Sequence, residues 1–332
     1  MSRPQIAVTM GDPAGVGPEV CLQLLHNEKI ASVLTPIIFG DAGVLNACAD
    51  KIGVASPRRV LTQQEWAADP RAVQTPAILD LQAIELDQFK PGEVNAKTGR
   101  AGYTYIRAAI RAALANEIDG ITTAPINKEA LRAAGVNHPG HTEIFAEECG
   151  AERQCMMLTS DELTCAFVTV HVGYHEVPEL LSAERILEVI ELSAAAMTHI
   201  RGREVKLLAC GLNPHAGEHG LFGNREEENI IEPALEQARA KGIDIVGPLP
   251  PDTAFLPARR REIDCFICMY HDQGHIPLKA LAFDKAINCT LGLPIIRTSV
   301  DHGTACDIAW QGTANPGSLF EAVQLAGRMA TD

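Results

Sequence analysis

The sequence has no apolar run of the roughly 18 residues that a membrane-spanning helix needs. Its first residues, MSRPQIAVTMGD, also lack the apolar segment of a secretory signal peptide. Basic residues are in the minority, since 28 lysines and arginines stand against 42 aspartates and glutamates and form no stripe. Because phosphate neutralisation needs a basic face, we expect no nucleic-acid partner. We also expect a cytoplasmic protein without membrane contact.

Internal repeats of solenoid period, low-complexity stretches and a pair of CxxC motifs are absent as well. The chain has ten cysteines, several of them inside apolar runs, such as Cys165, Cys210 and Cys289. Cys265 and Cys268 form a CxxC, but they lie in the strand-like segment CFICMY without a second CxxC to complete a zinc site. Reduced cysteines that pack as small apolar side chains are therefore favoured over metal or redox chemistry.

The chain does contain an alternation of strand-like and helix-like segments over its 332 residues. Short apolar runs such as IAVTM and GITTAP alternate with amphipathic segments, among them residues 101–116 and 183–200. This order is typical of an α/β fold with a mainly parallel sheet. The length suits two domains or one large α/β domain.

Histidines follow three of the strand-like runs in the same way. In each of CAFVTVHVGYH, KLLACGLNPHAGEH and CFICMYHDQGH, one histidine stands just after the run and a second one follows four residues later. Three imidazoles that converge from strand ends would make a metal site with an open position for water or substrate. The pairs lack the glutamate of HExxH and each contains a glycine, so the second histidine can instead contact a carboxylate, solvent or substrate. A metal site and three structural histidines are equally weighted alternatives on these residues alone.

A glycine-rich turn follows the first strand-like run, in MGDPAGVGPEV, residues 10–20. Pro18 suits the first position of a helix. The segment is therefore either an anion-binding nest at a helix N-terminus or a tight turn. It matches neither the GxGxxG fingerprint nor a P-loop.

Two aspartates lie beside the histidine loops. Asp252, in PLPPDTAF, and Asp272, directly after His271, are carboxylates that could orient a ligating imidazole or act as bases. An ordinary turn residue after two prolines is the equally weighted alternative for Asp252.

Further polar residues are of types that bind ligands, in particular phosphate or carboxylate groups. His141 follows a Pro-Gly turn and precedes Thr142, which has the side chain of a good helix N-cap. Lys279, Asn288 and Arg297 together would suit a phosphate or carboxylate, although each alone is typical of a solvated surface.

Five segments in order resemble the 4-hydroxythreonine-4-phosphate dehydrogenase family of pyridoxal phosphate biosynthesis: MGDPAGVGPE, GHTE, NPHAGE, MYHDQG and NCTLGLPIIRTSVDHGT. The resemblance implies an isocitrate/isopropylmalate-dehydrogenase-like α/β fold with two domains around a cleft and mainly parallel sheets. On this basis we expect one domain from residues 1–130 plus about 285–332, which contributes the cofactor loop. The second would span about 131–284 and carry the metal ligands and the dimer interface.

The resemblance also implies a reaction. The family oxidises the secondary alcohol of a phosphorylated four-carbon hydroxy acid, 4-phosphohydroxy-L-threonine, with NAD(P), and the β-keto acid product then loses carbon dioxide. One divalent metal per active site would be held by three histidines from both subunits of a homodimer, with zinc favoured and cobalt, manganese or magnesium as alternatives. The implied ligands are His171, His215 and His271.

Other implied roles follow the same motifs. Substrate contacts map onto His141, Thr142, Lys279, Asn288 and Arg297, and catalytic groups onto Asp252, Asp272 and Lys279. The segment DHGTACDIAWQGTANPGS resembles the adenosine-binding loop of isopropylmalate dehydrogenases, which implies His302 and Gly303 at the adenine and Asp307 at the ribose. An aspartate there would repel a 2′-phosphate, so NAD is favoured over NADP. A helix N-cap is the alternative for Asp307.

His275 departs from the biosynthetic form, which has an apolar residue there. MYHDQGHIP resembles a second branch of the family, which includes D-threonate and D-erythronate 4-phosphate dehydrogenases of sugar-acid catabolism. A cis-dihydrodiol dicarboxylate dehydrogenase is a further relative. The substrates of these enzymes are the alternatives for the same type of reaction.

Two other classes of protein compete with a dehydrogenase. The first is a metalloenzyme without nicotinamide, against which the HGTACDIA segment argues. The second is a non-catalytic dimeric binding protein, against which the presence of the histidines, aspartates and cations argues.

Overall fold

The structure is a computed structural model that describes residues 3–138, 140–282 and 286–331. It divides into two compact units, the first formed by Met1–Glu152 and Leu293–Asp332 and the second by Arg153–Gly292. No helix in the described part of the chain is long and apolar enough to cross a membrane.

The strands and helices alternate along the chain, as the sequence predicts. The strands are β1 Gln5–Thr9, β2 Thr35–Gly40, β3 Val60–Leu61, β4 Ala77–Asp80, β5 Gly120–Thr123, β6 Cys155–Thr159, β7 Thr164–Phe167, β8 Lys206–Cys210, β9 Asp244–Leu249, β10 Cys265–Cys268, β11 Ile287–Leu291 and β12 Arg297–Ser299. The α-helices are α1 Gly17–Leu25, α2 Glu28–Val33, α3 Ala42–Ile52, α4 Gln63–Ala68, α5 Ala96–Leu114, α6 Lys128–Ala133, α7 His141–Cys149, α8 Val177–Leu180, α9 Ala183–Arg201, α10 Glu232–Ala240, α11 Pro251–Ala254, α12 Pro257–Arg260, α13 His271–Ala282 and α14 Gly317–Met329.

In the first unit the described strands form a parallel sheet in the order β3-β4-β2-β1-β5-β12. Successive residues of a strand point to opposite faces, and Val8 and Ala7 of β1 accordingly lie in two different core clusters. Helices α1, α3 and α14 contribute to the first cluster, and α5, α6 and α7 to the second. Burial on both faces explains why these strands are continuous apolar runs.

The divisions after residues 152 and 292 lie C-terminal to the boundaries expected near residues 130 and 285. Helix α7 had been expected in the second domain. Its side chains Ile144 and Phe145 instead lie in the core cluster that contains Ile106 of α5, so α7 is part of the first unit.

In the second unit the strand order is β11-β6-β7-β10-β8-β9. β7, β10, β8 and β9 are parallel, whereas β6 pairs antiparallel with β7 and β11. Helix α13 packs closely on one face of this sheet. A side chain at Gly274 would place its Cβ 2.9 Å from Cys165 and Cys268, so only glycine fits there. The predicted α/β class with mainly parallel sheets is confirmed.

The two amphipathic helices predicted from the sequence are present, and capping residues mark their ends. Those expected over residues 101–116 and 183–200 are present as α5 and α9. Asn95 and Ser182 cap their first turns with side-chain hydrogen bonds, and α9 ends at Gly202 in the left-handed conformation. Cys265 and Cys268 are buried, free cysteines of β10 whose pKa is raised by burial, as the packing interpretation predicts.

Candidate active site

The three histidine loops come together at one edge of the sheet in the second unit. They follow β7, β8 and β10, which are parallel neighbours in the order β7-β10-β8. Parallel strands deliver the residues that follow them to the same edge. His171 follows β7 and His271 begins α13 after β10, and their ring centroids are 5.6 Å apart.

A cavity of about 280 Å³ lies beside these two rings, lined by residues 169–174, Val177 and residues 270–272. His171 has a φ of +55°. This left-handed conformation costs a non-glycine residue roughly 1 kcal/mol, and such strain collects at functional sites. The loop after β7 therefore presents His171 in a conformation that its surroundings must enforce.

Asp272 has the geometry of a carboxylate that orients His271. The Nδ1 of His271 lies 2.7 Å from one carboxylate oxygen of Asp272, and the hydroxyl of Tyr174 donates to the other. These two bonds, that of Tyr174 first, hold the pKa of Asp272 below its ordinary value. A donor role for Nδ1 leaves the lone pair on Nε2 of His271 available to a ligand.

His275 packs directly on His271. The two rings are stacked with centroids 3.5 Å apart and planes 11° apart, and Nδ1 of His275 donates to the carbonyl of His271 at 3.0 Å. Burial, followed by the neighbouring His271, lowers the pKa of His275 to about 4, so its ring is neutral at neutral pH. Lys279 lies one turn further along the same face of α13. The other second members of the pairs, His175 and His219, are exposed.

The loop that carries His215 is wound in the left-handed region. Five consecutive residues, His215 to His219, have φ between +41° and +78°. Only Gly217 among them adopts this conformation without strain. The His215 ring is largely exposed, and a hydrogen bond from its Nδ1 to Glu218 at 2.8 Å raises its pKa. Asp252, in α11, adds a smaller electrostatic effect of the same sign.

Two buried carboxylates hold this strained loop. Glu227 accepts hydrogen bonds from the backbone amide of Asn213 at 2.8 Å and from its side chain at 3.0 Å. Glu226 accepts from the Asn213 side chain at 2.9 Å and from the Asn224 amide at 2.7 Å. The side-chain amide of Gln273 donates to the Gly211 carbonyl at 2.7 Å. Sequence reasoning missed these residues, although the acidic run REEE after the loop was a signal.

Within one chain, the described residues bring no three histidine, cysteine or carboxylate side chains close enough to hold a metal ion. His171 and His271 are neighbours, but His215 does not complete a site with them. The donor set fits a transition metal, since two imidazoles lie side by side and a carboxylate orients one of them.

Asn288 lies in β11 of the second unit. Its Nδ2 is 3.5 Å from the sulfur of Met156, and its buried Oδ1 has no hydrogen-bond partner among the residues described. A buried amide oxygen without a partner is costly, so a donor group of a ligand would stabilise it.

His141 and Arg297 come together in the first unit. Arg297, only 2% exposed in β12, donates to Thr123 Oγ1 at 2.9 Å and lies over the ring of Phe145. His141 begins α7, and its Nε2 is buried without a partner among the described residues. Burial, followed by the charges of Arg297 and Lys128, lowers the pKa of His141.

The expected N-cap role of Thr142 and the alternative N-cap role of Asp307 are both wrong. The N-cap of α7 is Gly140, so Thr142 lies inside the first turn and caps nothing. Asp307 lies within a short 3₁₀ turn, Cys306–Ile308, whose N-cap is Ala305. In both cases the chain enters the helical turn at a different residue from the one that local side-chain preference favours.

The glycine-rich turn after β1 is not an anion-binding nest. The amides of Asp12 and Val16 donate to the carbonyls of Pro125 at 2.9 Å and Thr304 at 3.0 Å, and that of Ala14 donates to the Asp12 side chain. Residues 11–20 are all buried. Because these amides are already bonded to protein acceptors, the tight-turn interpretation is the correct one.

The segment after β12 has groups that fit a nucleotide. Gly303 and Asp307 are exposed, and a Cβ at Gly303 would meet no atom within 4 Å. Among the described residues, the buried Nε2 of His302 has no hydrogen-bond partner. An exposed carboxylate, an open glycine and a free ring nitrogen suit a ribose and a base.

Comparison with known proteins decides the family. The model of the family "Pyridoxal phosphate biosynthetic protein PdxA" matches residues 32–326. The chain belongs to the PdxA family. It is 42% identical over 332 residues, covering 99% of this chain and 96% of the relative, to a 4-hydroxythreonine-4-phosphate dehydrogenase of Desulforapulum autotrophicum. It is 40% identical, covering 98% and 99%, to a D-threonate 4-phosphate dehydrogenase of Pectobacterium atrosepticum.

A solved PdxA-family structure has the same fold. The crystal structure of a 4-hydroxythreonine-4-phosphate dehydrogenase from Burkholderia phymatum matches with a TM-score of 0.85 and 38% identity, over 100% of both chains. The predicted family, fold class and enzyme class, a dehydrogenase, are thereby confirmed for this PdxA-family chain.

The lowered pKa of His141 predicts acid sensitivity of this PdxA-family protein. The folded pKa lies below the ordinary value of 6.5, so the unfolded chain binds a proton that the folded chain does not as the pH falls through that value. Between pH 7 and pH 5, wild type should lose about 1–2 kcal/mol more stability than His141→Gln. Urea unfolding of both proteins at the two pH values measures this difference. Equal losses would contradict it.

Proposed function

We propose that the protein is a metal-dependent, NAD-linked dehydrogenase that oxidises the secondary alcohol of 4-phosphohydroxy-L-threonine and decarboxylates the resulting β-keto acid. The observation that carries this proposal is the arrangement of His171, His271 and Asp272 beside a cavity, in a chain whose relatives are named as dehydrogenases of phosphorylated hydroxy acids. NAD is favoured over NADP because the Asp307 carboxylate would repel a 2′-phosphate.

The proposed metal ligands are His171 and His271 of one subunit and His215 of the partner subunit. An all-imidazole set favours zinc, with cobalt, manganese or magnesium as alternatives. When bound, the metal supplies Lewis-acid polarisation of the reacting carbon–oxygen bond, and the nicotinamide supplies a hydride acceptor.

The chain's own residues would orient the metal ligand His271 and bind the substrate and NAD. Asp272 keeps the His271 ring in one tautomer, so its role is orientation rather than proton abstraction, and proton transfer falls to Lys279 or Asp252. Asn288 would contact the substrate through its unpartnered oxygen, and His141, Thr142 and Arg297 would bind an anionic group. His302, Gly303 and Asp307 would bind the adenosine part of NAD.

A homodimer is proposed because apolar side chains are exposed on the segments that carry the histidines. Their exposed fractions are 39% for Val172, 67% for Tyr174, 69% for Leu221, 38% for Phe222 and 65% for Ile276. A group of exposed apolar side chains in the second unit is typical of a protein interface. A second copy that covers it would bring its own histidine loops with it.

The reaction is tested by NADH formation with 4-phosphohydroxy-L-threonine, D-threonate 4-phosphate and D-erythronate 4-phosphate, each with metals varied. We expect turnover that requires NAD and metal, and a loss of about 100-fold or more in kcat/KM for His271→Ala. Absence of NADH with every substrate, or full activity after metal removal, would contradict the proposal.

His275 makes D-threonate 4-phosphate the second candidate substrate, because this histidine stands where the biosynthetic form has an apolar residue, and a relative is named for that substrate. We expect His275→Leu to lower kcat/KM for D-threonate 4-phosphate relative to 4-phosphohydroxy-L-threonine by about tenfold, the effect of one hydrogen bond. Steady-state kinetics with both substrates measures this ratio. An unchanged ratio of the two kcat/KM values would show that His275 does not influence which substrate is preferred.

The dimer is tested with Ile276→Asp, which places a charge among these exposed apolar side chains. We expect the variant to be monomeric by analytical ultracentrifugation and to bind metal at least about tenfold more weakly, because His215 of the partner subunit is lost. Leu114→Asp, at a 45% exposed position of α5 in the first unit, is the matched control and should remain dimeric. A dimeric Ile276→Asp protein would place the interface elsewhere.

A further inference from the structure

Glu19 is a fully buried carboxylate with no role in the proposed reaction. It lies in the first turn of α1, is 0% exposed, and accepts one hydrogen bond through Oε1 from the amide of Ala314 at 2.9 Å. Its buried Oε2 has no hydrogen-bond partner in the described part of the chain. A buried acid satisfied on one side only is expensive, so its presence needs a reason.

The reason for burying Glu19 is that its partner, Ala314, belongs to the segment after β12 that carries the proposed nucleotide contacts. Gln23, one turn after Glu19 on α1, donates from its side-chain amide to the carbonyl of the same Ala314 at 3.2 Å. Residues four apart lie on one face of a helix. Glu19 and Gln23 therefore hold both backbone polar groups of Ala314, at the far end of the segment that begins with His302 and Gly303.

The glycine-rich turn holds the same segment at two more points. The amide of Val16 donates to the Thr304 carbonyl at 3.0 Å, and the indole of Trp310 donates to the Pro13 carbonyl at 3.1 Å. A Cβ on Gly15 would lie 2.9 Å from Thr304, so the approach depends on glycine at this position.

These anchors bracket the proposed nucleotide contacts. Thr304 is attached on one side of Asp307, and Trp310 and Ala314 on the other. A segment that is ordered before binding does not lose conformational entropy when the ligand arrives, and this raises affinity. The anchors thus act on how tightly a nucleotide binds and not on the chemical step.

We propose that Glu19, assisted by Gln23, is a positioning residue for the dinucleotide: it fixes residues 303–314 in the conformation that receives the adenosine. The inference rests on the proposed function, because it takes His302, Gly303 and Asp307 as the nucleotide contacts. It also gives the MGDPAGVGPE segment a role, as the base on which the cofactor loop is held.

The test compares Glu19→Leu, which removes the acceptor, with Glu19→Gln, which retains an oxygen for the Ala314 amide. Val20→Ala is the matched control, since Val20 is the next residue of α1, is 0% exposed and has no hydrogen bond to the segment. The dissociation constant of NAD is measured by calorimetry on the metal-loaded enzyme. Steady-state kinetics gives the KM for NAD and kcat.

A second readout follows the loop itself. Trp310 is one of two tryptophans, so in a Trp66→Phe background it alone reports, and its accessibility to acrylamide measures how firmly the segment is held. Loosening of the segment should increase quenching of this 5% exposed side chain.

For Glu19→Leu we expect the Kd and KM for NAD to rise by about tenfold, corresponding to one lost hydrogen bond, with kcat at saturating NAD within about twofold. Acrylamide quenching of Trp310 should increase. Glu19→Gln should restore NAD binding to within about threefold of wild type, and Val20→Ala should leave it unchanged. If Glu19→Leu does not fold, Gln23→Ala, which removes one bond to Ala314, should raise the Kd by about threefold.

Two failures can be told apart. If wild type binds no NAD, the proposed function is wrong and the inference falls with it. If wild type binds NAD while Glu19→Leu binds it equally well, or Val20→Ala weakens it as much, the inference alone is overturned.

Discussion

The candidate site depends on one constraint, the parallel pairing of strands within each unit. In the second unit β7, β10 and β8 are neighbours, so the residues that follow them come out at one edge, and His171 and His271 meet there. In the first unit β1, β5 and β12 are neighbours in the same sense, and the glycine-rich turn after β1 meets Pro125 after β5 and Thr304 after β12. A shift in strand order would separate these loops, whatever their local sequence.

Carboxylates carry out much of the positioning around this framework. Glu226 and Glu227 hold the left-handed loop of His215, and Asp272 holds the ring of His271. Each accepts donors that would otherwise be free to choose other conformations, which is how a strained backbone is kept in place at a functional site. The acidic character of the protein is therefore partly structural, because a net charge of −14 includes carboxylates that never face solvent.

The sequence predicted the fold class, the helices α5 and α9, and the position of the histidine loops, because these depend on apolar periodicity and on residues close together in the chain. It did not predict that His275 stacks on His271, since that contact requires the residues after β10 to be helical despite Gly274 and Pro277. The sequence also did not show which core α7 packs on: Phe145 is apolar enough for either, and it lies in the core cluster of the first unit because its neighbours in space are there.

The amino-acid sequence by itself determined the family, the reaction class it implies and the set of polar residues from which a site can be built. Only the tertiary structure decided how those residues are used. Amides that look available to an anion in MGDPAGVGPE are bonded to Pro125 and Thr304, and an acid that looks like an ordinary first-turn glutamate, Glu19, is buried against Ala314. The physical reason is that hydrogen-bond partners hundreds of residues apart are chosen by strand order and packing, and local sequence carries no record of that choice.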